Sequence, residues 1–191
     1  ELRKIGSGHY DEQFIALEQE ELEITDEAIL VMLLILGGIK TNLENELRSF
    51  YQRYGKDNVV TYSEARKWVS DKDHTKRLVA LLLFISNEFQ SILPDLTTEL
   101  EDMLKSVILK ESDFFDVELD GTKLLDKKWG VDDSTWLLRL EEDVDLWVDY
   151  IATDLKRLIL QRKSLDDVLK MLEKRFNYIE QKAKEKGLSL K

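Results

Sequence analysis

The sequence predicts an all-α protein, an irregular bundle of about six to seven helices with two or three long amphipathic ones, either compact or extended. Three observations predict it. One proline and eight glycines in 191 residues leave few interruptions. Leu, Glu, Lys and Asp dominate the composition, as in helical chains. Apolar residues recur at three- and four-residue spacing along most of the chain. With 43% hydrophobic residues, a chain of this length buries roughly 70% of its unfolded surface, enough for one or two cores.

The first helix is predicted over Tyr10 to Leu22, with Phe14, Ile15, Leu17 and Leu22 only loosely periodic. Thr25-Asp26-Glu27 reads as a fresh start, a hydroxyl cap followed by carboxylates, opening a long helix that Gly55 stops after Tyr54. Inside it, Ala28 to Leu36 is an unbroken apolar run. At roughly 20 residues needed to cross a bilayer, that run is too short to span one, and no membrane span is expected. Gly37 and Gly38 follow, and two glycines in a helix interior predict a kink or a close helix crossing.

Gly55-Lys56-Asp57-Asn58 is a polar turn, Val59-Val60-Thr61 is briefly extended, and Ser63 caps a short helix through Val69. Leu78, Leu81, Leu82, Ile85, Phe89 and Ile92 predict a helix over Lys76 to Leu93, ended by Pro94. Thr98 and Glu101, spaced as a capping box, open another helix carrying Leu100, Met103, Leu104, Val107 and Ile108 to about Lys110 or Phe115. Asp116 to Gly130 is a connector with one short helix around Lys123 to Lys127. Asp132-Asp133-Ser134 caps a long helix to about Gln161, striped by Trp136, Leu140, Val144, Trp147, Ile151, Leu155 and Leu158. Ser164 with Asp167 caps the last helix, which buries Leu165, Val168, Leu169, Leu172, Phe176 and Ile179 before Gly187.

The chain divides into an N-terminal helical region, 1–115, with the long central helix, and a C-terminal region, 116–191, with two long helices. The same elements also read as one continuous domain. Glu1 in place of Met, and Gly6-Ser7-Gly8 close behind, predict a processed chain or a fragment of a longer one.

Composition narrows function. Lys and Arg number 28 against 39 Asp and Glu, a net charge of −11, which disfavours a purely electrostatic nucleic-acid binder. There are no cysteines and only two histidines, His9 and His74, so thiolate zinc sites and a Cys nucleophile are excluded. The charge is uneven: residues 1–60, 61–110 and 111–150 carry nets of −6, −1 and −9, whereas 151–191 carry +5. Lys163, Lys170 and Lys174, opposite the last apolar stripe, are the candidate nucleic-acid contacts. Leu30, Leu33, Leu34, Gly37 and Gly38 are the candidate protein-interaction residues, because the apolar run is wider than one helix face needs.

Other constellations lead nowhere catalytic. Asp116 to Gly121 imitates the start of a calcium loop, but Lys127 stands where a bidentate Glu is required. Glu142, Asp145 and Asp149 share one helix face, which reads as solvated rather than acid/base machinery. Asp71 and His74 form half a di-iron pattern without a partner. Trp68, Trp129, Trp136 and Trp147 read as core anchors. No catalytic residue, cofactor or metal is expected.

Phe50-Tyr51-Gln52-Arg53-Tyr54-Gly55, then Thr61-Tyr62-Ser63-Glu64-Ala65-Arg66-Lys67, Trp129 with Arg139, Arg162-Lys163-Ser164-Leu165-Asp166-Asp167-Val168 and Lys174-Arg175-Phe176 form an ordered series. In order and spacing it resembles the phage minor head, or head morphogenesis, proteins related to the F protein of phage Mu, over roughly Phe50 to Phe176. The resemblance implies a non-enzymatic virion protein near the portal inside the head, active in assembly, DNA packaging or DNA delivery. It implies a portal or capsid partner, or both, oligomerisation in the assembly, and a location in the host cytoplasm before the virion, and the basic last helix is where packaged DNA would be met. Such proteins continue into an Arg-Thr-Glu segment that this sequence lacks. The alternative is an acidic helical inhibitor that mimics DNA and occupies a partner's basic groove.

Overall fold

Two helices of more than forty residues organise the structure. The computed structural model describes residues 7–70, 72–128 and 135–185. Among them are α1 (Ser7–Tyr54), β1 (Gly55–Lys56), β2 (Val59–Val60), α2 (Tyr62–Ser70), α3 (Lys72–Phe115), α4 (Gly121–Leu125), α5 (Trp136–Leu160) and α6 (Leu165–Glu185). The all-α expectation holds, with six helices among the described residues.

α1 and α3 lie antiparallel along their whole lengths. The Arg77 guanidinium sits 5.1 Å from the Tyr54 ring centre, Asn42 donates to Glu88 at 2.8 Å, Lys110 pairs with Glu20, and Phe14 meets Phe114 edge-on at 6.0 Å. α5 packs on α3, α6 packs on α5 and on α1, and so the four long helices close a ring of neighbours. Gln90 donates to Asp145 at 3.1 Å across α3 and α5. Near the hairpin, Tyr51 donates to the Lys163 carbonyl at 3.1 Å. One buried cluster draws on all four helices: Leu43 and Leu47, Ile85 and Phe89, Ile151 and Leu155, Val168 and Leu172. Its centre is aromatic, with Phe89 against Trp147 at 5.9 Å and Phe176 at 6.3 Å. Each such side chain contributes about 1.5–3 kcal/mol by leaving water.

Two predicted breaks are absent. The Thr25 hydroxyl donates back to the Glu21 carbonyl at 2.8 Å instead of capping a new helix, so the helices expected at Tyr10 to Leu22 and from Thr25 are one 48-residue rod, about 72 Å long. Pro94 likewise lies inside α3. A proline removes one helical hydrogen bond and pushes on the carbonyl four residues back, but here both Gln90 and Pro94 are exposed, so water can take the freed carbonyl. Thr98 donates to the Pro94 carbonyl at 2.9 Å in mid-helix and is not a cap. The resulting stretch Thr75–Phe115 is, by length and composition, apolar enough to cross a membrane; its Leu78, Leu81, Ile85 and Phe89 are the inner face of the bundle.

The remaining elements shift by a few residues. Asp57 and Asn58 take φ of 55° and 59°, the two left-handed residues of a tight hairpin turn, and pair Gly55 with Val60 and Lys56 with Val59. Thr61 rather than Ser63 caps α2, accepting from the Glu64 N–H at 3.3 Å. α4 begins two residues earlier than expected because Asp120 caps it, accepting from the Lys123 N–H at 3.1 Å. Thr135 caps α5 through the Leu138 N–H at 3.3 Å; the predicted Asp132-Asp133-Ser134 cap lies outside the described residues. Ser164 caps α6 as predicted, accepting from the Asp167 N–H at 3.1 Å.

Candidate docking surface

The run Ala28 to Leu36 is divided between core and solvent. Ala28 and Leu33 are buried, Leu30 is half-buried, and Leu34 and Val31 are 63% and 39% exposed. Leu30, Leu34 and Gly37 follow at four and three residues and share the outer face of α1. Leu33 belongs to the interior and offers a partner nothing. A Cβ added at Gly37 or Gly38 would meet nothing within 4 Å, so the close crossing expected at this pair is absent. α1 runs through both glycines without interruption. They stand bare on its surface.

Towards its beginning α1 becomes strongly acidic. From Asp11 to Ile39 it carries eight Asp and Glu and no Lys or Arg, and Asp95 to Asp113 on the opposite helix α3 adds six carboxylates against Lys105 and Lys110. One carboxyl faces inward. Glu21 approaches Glu111 on α3, and its Oε1 is buried without a hydrogen-bond partner. Burial first, then the Glu111 charge, a hydrogen bond to Glu111 and the Glu18 charge push the Glu21 pKa up. A raised carboxyl pKa means that the folded arm binds this proton more tightly than the unfolded chain does.

The basic candidates lie on α6 and just before it. Lys163, Lys170 and Lys174 are all exposed. Lys170 borders an open crevice between α1 and α6 with Lys40, Glu44, Arg48, Asp166 and Glu173, so carboxylates alternate with the cations and dilute the field that a phosphate would feel. Lys174 lies one turn further along the same helix, beside Asn177 and Gln181.

Three of the segments that carry the phage-head resemblance, those beginning at Phe50, Thr61 and Arg162, meet at the hairpin end, whereas Arg139 lines a cavity with Leu104 and Ile108 and Phe176 packs on Phe89 and Trp147. Phe50, Tyr54 and Trp68 meet edge-on or tilted, with ring centres 5.0–5.8 Å apart. Arg162, left-handed at φ 59°, donates to the Val60 carbonyl at 3.0 Å. The Leu165 N–H donates to the Asn58 carbonyl at 2.8 Å. Burial, with the Asp167 charge second, raises the Tyr51 pKa and keeps its hydroxyl a donor. Arg175 is held by Asp154 at 2.5 Å and lies over the Tyr150 ring, and Phe176 is in the core.

Of the catalytic look-alikes, Glu142, Asp145 and Asp149 are exposed on the outer face of α5. Asp120, the fifth residue of the calcium-like run, is committed to capping α4 and to the Lys123 ammonium at 3.0 Å, and that hydrogen-bonded pairing lowers its pKa. Among the described residues no group of three or more Asp, Glu or His could hold a metal. Asp71 lies outside the described residues, as do the His74 side chain and Trp129. Trp68 is buried, whereas Trp136 and Trp147 are half-buried. Two features escaped sequence reading. One is the Glu21–Glu111 pair, which needs the register of α1 against α3. The other is an apolar cavity of about 350 Å³ between α3, α4 and α5, lined by Leu104, Ile108, Leu124, Leu125, Trp136 and Arg139.

The chain matches no family model, no curated protein and no solved structure.

Proposed function

We propose that the chain is a non-enzymatic docking protein of the phage head, bound near the portal inside the capsid and acting in head assembly, DNA packaging or DNA delivery. The observation that carries this reading is the partly exposed apolar strip of α1, half-buried Leu30 and exposed Leu34 beside the bare Gly37–Gly38 backbone. Apolar side chains left on a rigid rod cost solvation that a partner's surface recovers. The meeting of three of the five resembling segments at the hairpin end supports this reading, since residues around Phe50, Val60 and Arg162, far apart in sequence, share one local architecture. In this reading portal and capsid proteins are the partners, and Lys163, Lys170 and Lys174 face packaged DNA. The protein passes from host cytoplasm to virion as the head assembles.

The test is isolation of the native complex under mild conditions, with mass spectrometry of what accompanies it. Portal and capsid proteins in fixed ratio, lost on Leu30→Glu with Leu34→Glu, are the expected result. A solitary chain, or one accompanied by a host nuclease or polymerase, overturns it. The acidity of the rod favours a second reading, a DNA mimic in a partner's basic groove. That reading requires binding that DNA competes away and that salt weakens.

A further inference from the structure

We propose that the outer end of α1 carries a second docking surface, distinct from the Leu30–Leu34 strip, whose occupant is an amphipathic helix of another protein with Lys and Arg flanking an apolar stripe. Ile15, Leu22, Ile29 and Leu36 are seven residues apart and so share one face of α1. Ile29 and Leu36 are half-buried, whereas Ile15 and Leu22 are 52% and 57% exposed. The row continues an interface that already exists. Lys40, which borders the α1–α6 crevice, stands 18 residues beyond Leu22, five turns at 3.6 residues per turn and therefore on the same face.

α6 covers that face in antiparallel sense, from Tyr51 beside Lys163 to Lys40 beside Glu173. From Glu173 to its last described residue, Glu185, α6 advances about 18 Å, which brings it level with Ala28. Leu22 and Ile15 lie beyond, in line, and uncovered by any described helix. Another helix laid end to end with α6 would meet the same kind of apolar row.

Charge selects which helix. Glu18 and Asp26 flank Leu22 by one turn on either side, Glu12 and Glu18 flank Ile15, and no Lys or Arg occurs on α1 before Lys40. A second copy presenting this same acidic end is repelled, and so is an acidic helix; a basic one gains both apolar burial and charge pairing.

The test titrates a fluorescent peptide of three Leu-Lys-Lys-Ile-Ala-Lys-Lys repeats into the full chain and reads anisotropy. Saturable binding is expected, weakened at least about tenfold by Ile15→Glu with Leu22→Glu and by a rise in salt, and unchanged by Leu146→Glu on the exposed face of α5. Circular dichroism of each variant establishes that its helices are intact. No binding, equal binding of a Glu-for-Lys peptide, or indifference to the Ile15 and Leu22 changes overturns the proposal. Concentration-dependent dimerisation abolished by those changes assigns the face to a second copy, and binding that appears only after deletion of residues 186–191 assigns it to the chain's own end; either result overturns it. The inference stands apart from the phage-head reading, because the peptide result does not depend on whether portal and capsid proteins accompany the chain.

Discussion

The hairpin end of the molecule and its acidic end are built from the same two helices and differ in almost everything else. At the hairpin end α1 and α3 have two further helices against them, and Leu43, Ile85, Phe89, Leu155 and Leu172 are at most 1% exposed. At the acidic end the same two helices are held by a thin seam of Leu17, Ala28 and the Phe14–Phe114 edge contact, with the partly buried Glu21–Glu111 carboxyls among them, while α4 and the start of α5 pack on α3. Helix length is therefore a poor guide to where the stability lies. Four-helix closure concentrates the apolar burial at one end, and the rod carries the remainder of α1 and α3 outward.

The comparison breaks most visibly with large-to-small changes. Phe89→Ala removes the ring that Trp147 and Phe176 pack on and should cost about 3–5 kcal/mol in urea unfolding. Leu17→Ala should leave the main urea transition nearly unmoved while speeding amide exchange in the outer turns of α1; equal losses from both would erase the distinction between the two ends. Gly55→Ala comes next. Its Cβ would stand 2.5 Å from the Tyr51 carbonyl oxygen and 3.1 Å from that of Val59, both backbone atoms, so a loss of about 1–3 kcal/mol in thermal or urea unfolding is expected. Gly37→Ala with Gly38→Ala has the opposite sign. With open space at both positions, the gain in helix propensity should stabilise the fold by about 1–2 kcal/mol. Destabilisation by the same measurement would restore the close crossing that the sequence suggested.

The smallest effect is a pH dependence. Because the Glu21 pKa is raised in the folded state, the arm is most stable below the ordinary carboxyl range and loses that contribution as pH climbs through the raised value. Glu21→Gln should flatten this dependence, read by the arm's amide exchange corrected for intrinsic rates. An unchanged profile in the variant would assign the dependence to other carboxylates.

Much of the fold was legible because it rests on periodicity. The stripe of α6 is buried at Leu165, Val168, Leu172 and Phe176 as its spacing requires, and α5 buries Val144, Ile151 and Leu155. What failed was punctuation. Thr25, Thr98 and Pro94 are stop or start signals only where nothing else holds the backbone. Here each lies in a rod whose opposite helix packs across the would-be break, and hydroxyls that could cap bond one turn back instead. The exposure of the Ala28–Leu36 run was partly legible. The sequence pointed to Leu30 and Leu34 through the width of the apolar run, but it could not separate them from buried Leu33 or see that the glycines face solvent. The Glu21–Glu111 pair could not be found at all, because it depends on the register of residues 90 apart in sequence.

The most direct test of the central claim, that α1 is a presenting arm, is site-specific photocrosslinking in the cells or particles that contain the protein. A photoreactive amino acid replaces Leu34, Leu22 or, as the control on the bundle, Leu146. Crosslinks to portal or capsid protein from positions 34 and 22, identified by mass spectrometry and absent from 146, are predicted. Crosslinks to those proteins from 146 alone would place the contact on the bundle and contradict the account.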